Sequence, residues 1–228
     1  MISMKHTRQM SESIELGILL ALSGGFMDAY SYICRGKVFA NAQTGNMLLL
    51  GVNLSEGNFE SALRYLFPVL AFTIGIAISD IVRLQLSEKN RFHWRQISVL
   101  VEVIVLIAVS FLPLRYNLFA NSLTSLACGI QVESFRKIHG NGIATTMCIG
   151  NLRSATQNIC EYWHTKDRSA VQKGMLYYGI ILCFIFGAIL GNGCIKIWKE
   201  KSILICSAIL CIVAIMMFRD REKEQDGM

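Results

Sequence analysis

The chain has 228 residues, 53% of them hydrophobic and only 17% charged, with a mean hydropathy of +0.45. A soluble domain of this size carries nearer a quarter charged residues, so the composition excludes an ordinary water-soluble globule. The formal charge of +6 does not point to nucleic acid, because the basic residues sit between apolar runs rather than along one stripe, as in loops that face anionic lipid.

In chain order, six segments are apolar enough, and long or nearly long enough, to cross a bilayer as helices: Ile14 to Ile33, Ala62 to Val82, Ile97 to Leu114, Asn117 to Phe135, Met175 to Ile195 and Ser202 to Phe218. With 2 prolines in the whole chain, long helices joined by short links are expected. Lys5 and Arg8 precede the first apolar run and Ala21-Leu22-Ser23 resembles a cleavage site. The polar motif described below begins inside that run, however, so it reads as an uncleaved first span. The tail 219–228 is charged and expected to be solvated. Most of the eight cysteines lie inside apolar runs, where cysteine packs as a small apolar group, and no cysteine–histidine spacing suggests a metal.

Two further segments, Val38 to Leu54 and Ile143 to Cys160, are too polar to insert alone; the second holds Asn151, Arg153, Gln157 and Asn158. If both span, Lys and Arg divide almost evenly between the two sides. If both dip in and return, about 15 of the 22 basic residues fall on the side of the N-terminus and about 7, Arg35 and Lys37 among them, on the other. The expected fold is therefore all-α: a polytopic transmembrane bundle of six spans plus two polar broken or re-entrant helices, with both termini cytoplasmic.

The two polar segments belong to a motif written twice. Gly24-Gly25-Phe26-Met27-Asp28 followed by Asn41-Ala42-Gln43-Thr44-Gly45-Asn46 parallels Cys128-Gly129-Ile130-Gln131-Val132-Glu133 followed by Ile149-Gly150-Asn151. Phe72-Thr73-Ile74-Gly75 likewise parallels Phe184-Ile185-Phe186-Gly187. One membrane domain is read over 1–228, with an internal duplication of about 14–115 and about 117–218. Three crossings per half would make the halves inverted relative to one another, the arrangement of many transporters.

These residues (GGFMDAYSY, VFANAQTGN, CGIQVESFR and TTMCIGNLRSA) resemble the YoaK family of bacterial membrane proteins, from about Gly17 to Phe218. The resemblance implies a multi-span protein of the bacterial inner membrane and implies no established activity. Family members often carry Thr-Gly in both repeats; Thr44-Gly45 fits, whereas Ile149 precedes Gly150.

Asp28 lies two-thirds along the first span, on one helix face with Gly24 and Tyr32, and a carboxylate at that depth is a functional candidate. The polar breaks supply Asn41, Gln43, Thr44, Gly45 and Asn46, and Gly150, Asn151 and Arg153. Glycine permits a break, Thr44 can cap the helix after it, and half-helix starts leave N–H groups that favour polar or anionic solutes, a preference Arg153 would strengthen. Glu102, without an evident polar neighbour within a turn, must find a partner on another helix or be protonated, and Asp28 or Glu102 could couple a proton. Asp80 can pair with Arg83, and Glu133 with Arg136 or Lys137. No enzyme signature, cofactor motif or metal-ligand cluster is present. The expectation is a permease for a small polar or anionic solute, with a non-transporting scaffold or sensor as the alternative; self-association stays open.

Overall fold

The computed structural model describes residues 13–86 and 93–226. Among these there are eight α-helices: α1 (Ile14–Cys34), α2 (Gln43–Ser55), α3 (Phe59–Leu86), α4 (His93–Ser110), α5 (Asn117–Ser134), α6 (Cys148–Thr165), α7 (Arg168–Trp198) and α8 (Ile203–Asp226). No strand forms among the described residues; one isolated bridge joins Ile138 and Asn141.

Local chemistry sets the helix ends. Ser13 caps α1, its hydroxyl accepting from Leu16 N at 3.2 Å. Pro113 stops α4 four residues short of the expected Leu114, because the residue before a proline is pushed out of helical geometry. Helix α6 ends at Lys166 in the left-handed conformation (φ 56°). Asp167 then caps α7, accepting from Ser169 N at 2.9 Å and from its hydroxyl at 2.5 Å, and these bonds hold its carboxyl below the usual range. That cap starts α7 seven residues before the expected Met175. Helix α8 continues to Asp226 through the charged run expected to be a separate tail.

Among the described residues three helical stretches are long and apolar enough to cross a membrane: Ile14–Cys34, Phe59–Gln85, and Arg168–Phe218, which joins α7 and α8 through a short turn at Lys199–Ser202. Helix α5 owes its lower apolarity to polar residues that it buries, among them Asn121, Thr124, Ser125 and Gln131.

Named contacts fix how the long helices run. Gly187 meets Leu22 and Gly191 meets Phe26 and Ala29, so α7 runs parallel to α1. Gly129 meets Phe72 while Ser134 Oγ lies 3.0 Å from Ser79 Oγ, so α5 runs parallel to α3. Ser23 pairs with Cys206 at 2.9 Å and Tyr30 donates to Glu200 O at 3.0 Å, so α8 runs against α1. Gln96 reaches Met217 O at 3.1 Å, the far end of α8, while Arg35 after α1 reaches Val109 O at 3.0 Å, so α4 follows α1. Gln131 on α5 bonds Leu20 O whereas Asn121 bonds Arg35 O, so α5 runs against α1. The six long helices therefore alternate in direction along the chain. Helices α2 and α6 stand outside that alternation: α3 begins at the end where α1 finishes, and α7 at the end where α5 finishes.

The closest approaches are backbone to backbone. A Cβ on Gly25 would collide with Phe184 O, one on Gly187 with Leu22 O, one on Gly75 with Leu126 O and one on Gly129 with Phe72 O. Glycine at these four crossings lets α1 and α7, and α3 and α5, pack at distances that no side chain would permit. The larger apolar core lies among α1, α4, α5 and α8 and includes Leu20, Phe26, Met27, Val103, Leu106, Leu210 and Val213. A smaller one, with Ala21, Ile138, Ile143, Ala155, Tyr177 and Ile180, joins α1 and the segment before α6 to α6 and α7.

Arg35, expected in a loop, is fully buried. Its Nε donates to Tyr30 OH at 2.8 Å, its terminal nitrogens to Val109 O at 3.0 Å and Asn117 Oδ1 at 3.4 Å, and its own carbonyl accepts from Asn121. The sequence places it just past an apolar run, but the end of α4 and the start of α5 close over it.

Candidate functional site

Two non-helical segments run along α1 from opposite ends. After α1 the chain reverses through Gly36 (φ 88°) and Lys37 (φ 64°), both left-handed, and residues 38–42 return toward the middle of the helix. There Asn41 N donates to Asp28 Oδ1 at 2.7 Å, with the Ala40 and Ala42 amides turned to the same carboxylate, and Asn41 Nδ2 donates to Gly24 O at 3.0 Å. The second segment starts from the other end. Ile138 packs on Gly17, and Thr145 and Thr146 reach Gly24, where a Cβ would sit 3.0 Å from Thr145 O and 3.2 Å from Thr146 Cγ2. Gln131 on α5 ties this tip down, donating to Leu20 O at 3.1 Å and to Thr145 Oγ1 at 3.2 Å. The tips meet at Gly24, in the middle of a helix apolar enough to span a bilayer.

Each tip is closed by the same device. Asn46 Nδ2 donates to Phe39 O at 2.8 Å while Phe39 N donates to Asn46 Oδ1 at 3.0 Å. Asn151 Nδ2 donates to Ala144 O at 2.6 Å while Ala144 N donates to Asn151 Oδ1 at 3.2 Å. In both, an asparagine in the first turn of a helix clasps the backbone seven residues earlier, satisfying both polar groups of a residue that no neighbouring strand or helix could satisfy. Gln43 adds to the first clasp, accepting from Asn46 at 2.8 Å and donating to Ala40 O at 2.7 Å and Ser125 Oγ at 3.4 Å.

The expected site residues separate into two groups. Asp28, Asn41, Gln43, Asn46 and Asn151 are drawn into the tips. Thr44, Gly150 and Arg153 are exposed, and Arg153 makes no ion pair among the described residues. Thr44 does not cap α2, which begins one residue before it with Ala42 at the cap. Gly45 packs on the Phe39 ring, whereas a Cβ on Gly150 would meet nothing within 4 Å. The expected meeting of 44–46 with 150–153 thus falls instead to Asn41 and to Thr145 and Thr146, because each asparagine turns back to its own segment. Helix α2 packs on α3, and α6 on α7. Gln131, Thr145 and Thr146 lie inside the quoted motifs but were not singled out by sequence; the seven-residue spacing from Phe39 to Asn46 and from Ala144 to Asn151 is the signal that finds the clasps.

Glu102 stands apart from the tips on α4. It is fully buried, and neither carboxyl oxygen has a hydrogen-bond partner. The expected ion pairs form at the end of α5 away from Arg35: Arg83 Nε bonds Asp80 at 2.9 Å, and Glu133 lies 3.4 Å from Arg136 and 4.0 Å from Arg83. A groove of about 560 Å³ opens beside the first tip, floored by Asp28 and Asn192 and walled by Phe39, Phe184, Ile185 and Ile189. Tyr32 and Phe39, stacked 4.8 Å apart, form its rim, with the Lys37 ammonium 4.6 Å from the Tyr32 ring.

Residues 16–216 match the family described as "Protein of unknown function (DUF1275)". The chain belongs to this family. It is also similar to the UPF0700 transmembrane protein YoaK of Bacillus subtilis (strain 168), 23% identical over 184 residues that cover 75% of this chain and 79% of the relative. No solved structure matches it. With its long apolar helices, this member of the DUF1275 family is a helical membrane protein.

Proposed function

We propose that the protein is a permease for a small polar solute, crossing the bacterial plasma membrane six times, with two re-entrant segments entering from opposite faces. The observation that carries this reading is the meeting of two polar, non-helical tips at Gly24, midway along an apolar helix. Irregular backbone at that depth is tolerated where protein or a wet cavity shields it, and transporters bind substrate at such breaks. The alternating helix directions support three crossings in each half, with the halves as inverted repeats. Their contacts support it: Gly25 meets Phe184 as Gly129 meets Phe72, and Gly187 meets Leu22 as Gly75 meets Leu126. The excess of Lys and Arg at one end supports a cytoplasmic position for both termini. Asp28 holds the first tip and lines the site; Glu102 carries a coupling proton. The chain is not an enzyme.

Flux into proteoliposomes tests this reading. Solute uptake should fall in Asp28→Asn and Asn151→Ala, and Glu102→Gln should uncouple uptake from a proton gradient. Uptake that is the same in all three removes the site. Cysteine introduced at position 166 should resist an impermeant reagent in intact cells, while cysteine at position 56 should react. The scaffold or sensor reading is favoured by one observation, that both clasps are satisfied within their own segments, and it predicts no flux.

A further inference from the structure

The hydrogen-bond inventory at Gly24 is one-sided. Asn41, Gln131 and Thr146 are 1%, 0% and 2% exposed. Each has an oxygen without a partner: Asn41 Oδ1, Gln131 Oε1 and Thr146 Oγ1. The two amides cannot turn round to hide them, because the Asn41 nitrogen is held by Gly24 O and the Gln131 nitrogen by Leu20 O and Thr145 Oγ1. Leu20 and Gly24 are one helical turn apart, about 5.4 Å of rise, so the three residues that carry these oxygens are anchored on one stretch of α1, with Asp28 a turn further on. Buried acceptors left in this state cost stability unless a donor reaches them.

Among the described residues no cationic side chain is at hand to supply one. Arg35 is taken by Tyr30, Val109 and Asn117, Lys37 lies over Tyr32, and Arg153 is exposed. The tip amides before α2, where sequence suggested an anion would bind, already face Asp28. Building on the permease reading, we infer that the site takes a small cation rich in N–H donors, ammonium or a primary alkylammonium, and not an anion. The cation would donate to Asn41 Oδ1, Gln131 Oε1 and Thr146 Oγ1, with Asp28 as counter-charge; amide oxygens can only accept, so a donor-only ligand fits them.

Purified protein in detergent tests this by thermal unfolding in ammonium or methylammonium chloride against sodium formate at matched ionic strength. Both cations should raise the midpoint saturably, and formate should not. Thr146→Val removes an oxygen with no protein partner, so it should leave the midpoint of the empty protein unchanged or raise it, while weakening methylammonium about tenfold. An equal response to formate, no saturable response to either cation, or unaltered affinity in Thr146→Val overturns the inference. Methylammonium flux into proteoliposomes separates the two readings. Binding without flux sinks the permease and leaves the cation site, while flux of another solute without cation binding does the reverse.

Discussion

The segments on either side of Gly24 share a clasp and differ in charge. The first tip, around Asn41, is held by a carboxylate, by an amide bond to Gly24 O and by the Gln43 link to Ser125. The second, around Thr145, is held by neutral groups alone: Gln131 on Thr145 Oγ1, and apolar contact with Gly17 and Gly24. Their helices differ as well. Helix α2 exposes Met47, Leu48, Val52 and Leu54, whereas α6 exposes Arg153, Thr156 and Gln157 among its apolar residues. The shared asparagine solves a backbone problem that any returning segment in lipid must solve. The unshared Asp28 is therefore where chemistry distinguishes one tip from the other.

The largest expected effect tests that asymmetry. Asp28→Ala strips the acceptor from the Asn41 amide and its neighbours and should cost about 3 kcal/mol, read as a lowered unfolding midpoint in detergent. Thr145→Val, at the other tip, leaves Gln131 bonded to Leu20 O and should cost about 1 kcal/mol. Equal losses would mean that the carboxylate does not hold the first tip. Next come the clasps. Asn46→Ala and Asn151→Ala should each lose about 1–2 kcal/mol, Asn46 the more because it also donates to Gln43. A loss at one position only would show that the clasps are not one device. The smallest contrast is between glycines: Gly45→Ala presses on the Phe39 ring and should destabilise slightly. Gly150→Ala meets open space within α6 and should be neutral or stabilise by up to about 1 kcal/mol.

Sequence showed the long helices well, because an apolar run of bilayer length has few other uses. Their ends were displaced where a short-range group intervened, as Pro113 did for α4 and Asp167 for α7. The polar breaks were visible too, but not which of their residues turn inward. A helix or strand fixes side-chain direction by its period; the segments at 38–42 and 144–147 have none, and sequence did not show where each gives way to a helix, so Thr44 in α2 and Arg153 in α6 looked as much like site residues as Asn41 does. Thr145 and Thr146 were passed over for the same reason. Arg35 was misplaced because its burial depends on Val109, Asn117 and Asn121, remote in sequence, and no local pattern announces them.

The buried guanidinium also has a mechanical meaning. It bonds the end of α1 to the end of α4 and the start of α5, and through Tyr30 to the turn before α8. Residues 111–116, the link between α4 and α5, are thus pinned at their root. At the opposite end α3 and α5 are joined by Asp80, Arg83, Glu133 and Arg136; all but Glu133 are partly exposed, so salt can loosen them. The bundle is thus fastened by different means at its two ends, by a buried guanidinium at one and by ion pairs at the other, while the glycine crossings of α1 with α7 and of α3 with α5 hold its middle. Raising the salt should slacken the second fastening and leave the first as it is.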